Sequence, residues 1–305
     1  MRKTYAILPA LMLLALPLVG NPASWATLTV AGLAMGMMTF IMASGLTLIF
    51  GLMGVLTFAH GAFVTFGAFV AASLLTPDLA MLPLALLAAM AAAAVLGALF
   101  ERVIVKPVYG QHTKQILITM GAMVVAEQLI IVVWGADQRM VELPPLLKGS
   151  FLVGDATFER FRLLVVAIGL ALYAALHLAL NRTRLGLLVR AGVEHPEMVE
   201  ALGYRIKLVF IAIFALGSAL AALGGGLWAL YRGQLTASLG AERMIDIFIV
   251  VIVGGLGSLG GCFIAALLAA LLFNYTSYFA PSLASLSEVI LLIVVLLWRP
   301  RGLMG

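Results

Sequence analysis

Two ionisable side chains stand inside long apolar runs of the sequence, where an unpaired charge is costly. His60 lies between Phe58 and Phe63, and Glu127 lies inside the run 115–134. An ionisable group at such a depth usually faces a cavity or a partner group. A hydrogen bond to the backbone explains His60 equally well, and a bond between helices explains Glu127, so both interpretations stay open. We expect no metal site, because no second ligand lies at helical spacing from His60.

A glycine cluster matches the pattern G-x-G-x-x-G, which in some proteins binds the pyrophosphate of a dinucleotide. That chemistry needs a soluble βαβ unit, a polar helix face and an acid about 20 residues further on. Here the following run, 263–273, is apolar all round, and the next acid is Glu288. We therefore reject dinucleotide binding, and we interpret Glu288 as an acid that complements the start of the last helix. Close helix packing and a flexible gate remain open for the cluster Gly254, Gly255, Gly257, Gly260 and Gly261.

Catalytic motifs are absent from the sequence. It contains no Gly-Lys dipeptide, and therefore no phosphate-binding Walker A loop, and neither H-E-x-x-H nor G-x-S-x-G occurs. We expect no enzyme activity and no cofactor. If this protein uses ATP, another chain must hydrolyse it.

The composition is that of a membrane protein. Of 305 residues, 64% are hydrophobic and 10% are charged, whereas soluble domains carry about 25% charged residues. Apolar runs of about 20 residues, the length that spans a bilayer as a helix, recur along the chain. The sequence predicts one all-α, polytopic transmembrane domain over residues 1–305. The net charge of +5 reflects orientation in the membrane and does not indicate nucleic-acid binding.

The order of the apolar runs predicts eight long transmembrane helices plus a broken or re-entrant element, about ten helical pieces in all. Basic residues cluster at alternate connections, which places the N- and C-termini on the cytoplasmic side. This parity requires the run 244–279 to enter and return, and its glycine cluster is the expected turning point. Gly32 and Gly36 form a small-xxx-small face for close helix packing. The apolar runs are 5–20, 28–50, 55–75, 79–105, 115–134, 161–180, 208–231, 244–279 and 283–298.

The most strongly charged segment is 181–207, and it predicts two short amphipathic helices joined by a corner. Pro196 suits the first turn of the second helix, and Gly203 suits its end. Met198, Val199 and Leu202 then share one apolar face. Helices this short need a surface to lie on. That surface is either the protein's own helix ends, the lipid headgroups, or a soluble partner that buries the apolar face.

Four ordered motifs resemble those of the branched-chain amino-acid ABC importer permeases of the LivH type. The first is Gly-Leu-Thr-Leu-Ile-Phe-Gly-Leu-Met-Gly from residue 45, followed by Phe-Ala-His-Gly from residue 58. The others are the segment 190–203, the glycine string 254–261 and the ending 298–305. Together they cover the whole chain and are specific, whereas the short glycine strings alone are not.

The resemblance implies a permease subunit of a bacterial inner-membrane importer. Its partners would be a second related permease, two ATP-binding-cassette ATPases, a periplasmic substrate-binding protein and membrane lipid. The segment 181–207 would then couple the permease to the ATPases. The family usually has Asn or a similar polar residue where His195 stands, which concerns only fine docking contacts. The implied coupling residues are Arg190, Glu194, His195, Pro196, Glu197, Met198, Val199, Leu202 and Gly203.

The sequence is less specific about the substrate and about the translocation path. Similar permeases are associated with urea, short amides and other amino or organic acids, so these stay open beside branched-chain amino acids. A secondary transporter is a rival class, for which only His60 and Glu127 could form the required intramembrane site. Polar groups and glycines concentrate in two runs joined by a very short link. We therefore predict a translocation path lined by Ser44, Leu48, Phe58, His60, Phe63 and Glu127.

Overall fold

A computed structural model describes residues 7–183, 186 and 206–304 as a helical assembly. Those residues form ten α-helices and four short strands, which confirms the all-α, polytopic fold and the count of ten helical pieces. The helices are α1 (Ile7–Val19), α2 (Pro22–Met53), α3 (His60–Leu74), α4 (Met81–Phe100), α5 (His112–Trp134), α6 (Arg160–Arg182), α7 (Ile206–Arg232), α8 (Leu239–Gly254), α9 (Leu259–Phe279) and α10 (Ala284–Trp298).

Seven of the described helical segments are long and apolar enough to cross a membrane. Two pieces that the sequence predicts as crossings are shorter, since α1 has 13 residues and α3 has 15. A straight helical crossing takes about 20 residues. The fourth crossing is lengthened beyond α4 by a π-helical turn, Glu101–Val105, and a 3-10 turn, Lys106–Val108.

Helix α2 forms the centre of the assembly. Its 32 residues make it about 48 Å long at 1.5 Å per residue. Its start is fixed by Asn21, whose side chain accepts the Ala23 N–H at 2.9 Å, and by Pro22 in the first position. It ends at Gly54 in the left-handed conformation, with φ +63°. Helices α6, α7, α8 and α9 pack around it, so it is apolar on every side, as a buried helix must be.

Glycines let the neighbouring helix backbones approach α2 closely. Gly32 and Gly36 both face α9, as the small-xxx-small pattern predicts, and a Cβ added at Gly36 would lie 3.0 Å from the carbonyl oxygen of Ala266. Gly45 faces Gly217 of α7, where an added Cβ would overlap the backbone. Because lipid supplies no hydrophobic force between helices, such close van der Waals contact is what holds them together.

The connection between α5 and α6 contains short strands. β1 (Arg139–Met140) pairs antiparallel with β4 (Gln234–Leu235), which follows α7. β2 (Ser150–Val153) and β3 (Ala156–Glu159) form a hairpin. The Thr157 N–H donates to the hydroxyl of Thr27 at 3.3 Å, which ties this hairpin to the start of α2.

The predicted broken element is a hairpin of α8 and α9. The chain turns through residues 255–258, where Gly255 has φ +101° and Gly257 has φ +83°. Ser258 closes the turn by accepting the Gly261 N–H at 3.2 Å, which caps the start of α9. Gly254 lies against the start of α9, and a Cβ there would come within 2.5 Å of the Cys262 nitrogen. This turn excludes a single continuous helix over residues 244–279, in agreement with the return that the number of membrane crossings requires.

Prediction for helix packing. Gly67→Ala in α3 should destabilise the protein, because the added methyl group would overlap Cα of Ala222 in α7. Overpacking of this kind costs about 1–3 kcal/mol. Gly121→Ala in α5 is the matched control, since nothing lies within 4 Å of its added Cβ. The control should gain the roughly 0.5–1 kcal/mol that alanine brings to a helix. Thermal unfolding in detergent measures both, and equal midpoints would contradict the observed packing.

Candidate functional site

An apolar groove opens between α3, α4 and α5, with a volume of about 630 Å³. We call it the α3–α5 groove. Aromatic rings close its inner wall, since Phe63 packs edge-to-face on Phe100 with ring centroids 5.7 Å apart. Leu129 and Val133 of α5 contribute to the opposite wall. A groove of this volume falls in the range of small-molecule sites.

Helix α5 is fastened to the rest of the assembly near its two ends. Near its start, the Thr119 hydroxyl accepts the backbone N–H of Phe58 at 3.2 Å. At its end, the Trp134 indole donates to the Ser73 hydroxyl at 2.9 Å, and its ring lies 5.4 Å from that of Phe69. Only 11% of the most apolar stretch of α5 is buried. The groove therefore lies along a largely uncovered face of α5.

The predicted path residues fall into two groups. Phe63 lines the α3–α5 groove. Ser44, Leu48 and His60 are buried in the helical core, and none of them lines the α3–α5 groove. Phe58 is half-buried, with its ring 4.8 Å from that of Phe248.

Hydrogen bonds account for two of the buried polar side chains. The Ser44 hydroxyl donates to the Ile41 carbonyl at 2.8 Å, within its own helix. His60 Nε2 lies 2.8 Å from the Met42 carbonyl oxygen, so this nitrogen carries the proton and donates. His60 Nδ1 has no hydrogen-bond partner among the described residues. The imidazole therefore joins α3 to α2 beside Gly45, whose added Cβ would come within 2.9 Å of it.

Glu127 lies on a face of α5 that turns toward α3 and the start of α8. It borders a cavity of about 10 Å³ together with Thr65, Met123 and Ala241. A cavity of that size holds one water molecule. The Glu127 carboxylate makes no ion pair or hydrogen bond with any residue in the described ranges. It is therefore an acid without a counter-ion at the edge of the helix bundle.

The predicted gate glycines lie where three parts of the chain meet. The turn of the α8–α9 hairpin touches the end of α2, and a Cβ added at Gly257 would lie 2.7 Å from Cα of Gly51. The C-terminal tail covers the end of α8, because the N–H groups of Leu303 and Met304 donate to the carbonyls of Val253 and Gly254 at 2.8 and 3.1 Å. These bonds satisfy carbonyls that a helix end leaves free. The cluster comprises Gly254, Gly255, Gly257, Gly260 and Gly261.

A charged cluster between α8 and α10 is not anticipated by the sequence analysis. Arg243 and Asp246 form an ion pair one turn apart on α8, and the Arg243 guanidinium lies 4.6 Å from the ring centroid of Trp228. Glu288 of α10 is buried beside Asp246. The prediction that Glu288 complements the start of the last helix is wrong, because Glu288 lies beyond the first turn of α10. The i,i+3 spacing of Arg243 and Asp246 is the sequence signal that could have revealed half of this cluster.

A second unanticipated contact lies in the connector after α4. The Tyr109 hydroxyl donates to the buried carboxylate of Glu101, and the Tyr109 ring lies 5.9 Å from that of Phe210 in α7. Burial raises the pKa of the Tyr109 phenol well above its usual value, and the Glu101 carboxylate raises it further. Tyr109 therefore stays protonated and holds the connector against the beginning of α7.

The predicted coupling residues lie outside the described residues. They are Arg190, Glu194, His195, Pro196, Glu197, Met198, Val199, Leu202 and Gly203. Within the described ranges no three His, Cys, Asp or Glu side chains converge as a metal site would require.

Comparison with known proteins identifies the family. Residues 28–298 match the family described as the permease component of branched-chain amino acid transport systems. The chain belongs to this family. It is 30% identical to the high-affinity branched-chain amino acid permease protein BraD of Pseudomonas aeruginosa, over 90% of this chain and 94% of that one. No solved structure matches it.

Two further relatives extend the comparison. The permease protein LivH of Escherichia coli is 26% identical over 90% of this chain and 93% of its own length. A probable LivH of Methanocaldococcus jannaschii is 24% identical over 87% and 88%. These relatives are transport permease subunits and not enzymes, in agreement with the missing catalytic motifs. The protein is accordingly a multi-pass membrane permease component.

Prediction for the hairpin. Gly257→Ala should abolish transport while the protein still inserts into the membrane, because the methyl group would push the turn away from Gly51. Gly54→Ala is the matched control: it also has positive φ, but nothing lies within 4 Å of its added Cβ. Both variants bear the roughly 1–2 kcal/mol strain of a left-handed alanine, and only the first adds the clash. Uptake into proteoliposomes measures the difference, and equal uptake by the two variants would contradict a role for this contact.

Proposed function

We propose that this protein is the permease subunit of an ATP-binding-cassette importer that carries branched-chain or related amino acids across the bacterial inner membrane. The family match along residues 28–298 supports this proposal most directly. Hydrolysis of ATP would occur on two separate ATPase chains, because the sequence has no phosphate-binding loop of its own. A periplasmic binding protein would deliver the substrate.

The α3–α5 groove is the part of the described structure that fits a translocation path. It is apolar, it has the volume of a small-molecule site, and it is open on one side. A second related permease placed against that side would close the groove into a path between two chains. Phe63 and Glu127 would then remain beside the path, whereas Ser44, Leu48 and His60 would support it from within the helical core.

The arrangement of charges supports an orientation with both termini in the cytoplasm. The ends of α2, α6 and α8, the beginning of α7 and the C-terminal tail lie at one end of the assembly. By the order of the chain, twelve of the eighteen Lys and Arg residues belong to this end, and the positive-inside rule assigns such an end to the cytoplasm. They are Arg2, Lys3, Arg102, Lys106, Lys114, Arg182, Arg184, Arg190, Arg205, Lys207, Arg299 and Arg301. The coupling segment 181–207 joins α6 to α7 at this same end.

Two other functions are tested by the same measurements. Urea, short amides or small organic acids would change the substrate but not the class of transporter. The cluster of Arg243, Asp246 and Glu288 favours a secondary transporter, since such proteins use intramembrane charges. However, Arg243 already pairs with Asp246, and the cluster borders none of the described cavities. Uptake that requires ATP and the two ATPases would establish the importer; uptake driven by an ion gradient alone would overturn it.

Prediction for ATPase coupling. Leu202→Asp should release the ATPases and abolish uptake while the permease still inserts, because a charge would enter the apolar docking face of Met198, Val199 and Leu202. Leu202→Met keeps an apolar side chain of similar volume and should behave like the unaltered protein. Co-purification of the ATPases with each variant is the measurement. Retention of the ATPases by Leu202→Asp would show that they dock elsewhere.

Prediction for the path. Cysteines at Phe63 and Leu129 should react with small aqueous thiol reagents in the assembled transporter, at rates that change when nucleotide binds. Ser44→Cys should react far more slowly, since Ser44 is fully buried. The native Cys262 is also fully buried, so background labelling of this thiol should be low. If Ser44→Cys reacts as fast as Phe63→Cys, the path runs through the core and not along the groove.

A further inference from the structure

Glu127 is a carboxylate that the described structure leaves without a counter-ion. It lies well inside α5, away from both helix ends. It has no ion pair or hydrogen bond within the described ranges. Its neighbours around the small cavity are apolar or small, namely Gly61, Ala62, Met123, Ile130, Ala237 and Ala241, with Thr65 as the one hydroxyl. An unpaired carboxylate in such surroundings favours binding of a cation.

The hydroxyl of Thr65 is already committed. It accepts the Gly240 N–H at 2.7 Å and donates to the Gly61 carbonyl at 3.3 Å. No basic side chain lines the cavity. The cavity accepts one group of about the size of a water molecule, and a primary ammonium has that size and three N–H donors. Glu127 is thus the acceptor that remains for such a group.

The small cavity and the α3–α5 groove are neighbours. Ala62 of α3 and Ile130 of α5 line both of them. On one side of these two residues lies a carboxylate without a partner, and on the other lies an apolar space of about 630 Å³. A ligand that joins a primary ammonium to a branched apolar side chain would satisfy both sides at once.

We propose that Glu127 binds the ammonium group of an apolar amino acid while its side chain occupies the α3–α5 groove. The inference rests on the proposed importer function and adds a substrate contact within the permease itself. A lipid acyl chain would also fill the groove, but it would leave the carboxylate unpaired. The juxtaposition of one acid and one apolar groove therefore favours an amphipathic cation over a lipid.

Protection from a carbodiimide tests this contact in the complete transporter with its ATPases in lipid nanodiscs. Dicyclohexylcarbodiimide modifies carboxyl groups within membranes, and peptide mass spectrometry locates the modified residue. Leucine and 3-methylbutylamine should slow modification of Glu127, because both carry the ammonium and the branched chain. 4-Methylpentanoate, which lacks the ammonium, should not. Modification of Glu127 that is unaffected by leucine, or slowed equally by 4-methylpentanoate, would overturn the proposal.

Variants supply a second readout through ATP-driven leucine uptake. Glu127→Gln should lower kcat/KM for uptake by at least about tenfold, the effect expected for losing a hydrogen bond to a charged group. Glu127→Asp should recover part of this loss. The double variant Glu127→Gln/Gln128→Glu keeps the net charge but moves the carboxylate around the helix, and it should be as impaired as Glu127→Gln. Gln128→Ala should transport normally, since Gln128 lies outside both cavities.

The outcomes separate the two proposals. If the unaltered complex imports leucine and Glu127→Gln imports it equally well, the ammonium contact is wrong and the importer function stands. If the unaltered complex imports no apolar amino acid, the proposed function itself fails.

Discussion

Close contact between helix backbones is the constraint on which the rest of this structure depends. Water drives apolar helices together in soluble proteins, but within lipid that force is absent. Here glycine supplies the alternative: Gly45 meets Gly217 where α2 crosses α7, and Gly61 meets Gly240 where α3 crosses α8. A side chain at these positions would overlap a neighbouring backbone. The core formed by α2, α3, α7, α8 and α9 is therefore rigid for a geometric reason.

Helix α5 is not part of this glycine-mediated contact. Its Gly121 has no atom within 4 Å of an added Cβ, and its attachments are the polar contacts of Thr119 and Trp134 at its ends. It can therefore shift against α3 without breaking any of the close backbone contacts of the core. A path along the α3–α5 groove would use this difference, with a rigid wall on one side and a movable helix on the other.

The order of the apolar runs predicts the number of crossings and the position of the hairpin turn. The sequence does not show which face of a helix is open and which is buried. Parity of the crossings required a return within 244–279, and glycines marked the turn near Gly257. The predicted path residues Ser44, Leu48 and His60 lie buried in the core, and the sequence gives no sign of that burial. Helix α2 is apolar all round, so no periodicity distinguishes its buried faces from an open one. The contact between Asp246 and Glu288 joins two helices, and helical spacing predicts only contacts within one.

The end of the assembly that carries the α8–α9 turn is also the end where α6 stops and α7 begins. Helix α6 ends at Arg182 and α7 begins at Ile206, beside the connector that Tyr109 holds against Phe210. Helix α7 is in turn fixed to α2 by the contact of Gly217 with Gly45, and the end of α2 touches the turn at Gly257. Movement imposed on the beginning of α7 would thus reach the hairpin through rigid backbone contacts. The C-terminal tail, bonded to Val253 and Gly254, would have to move with that hairpin.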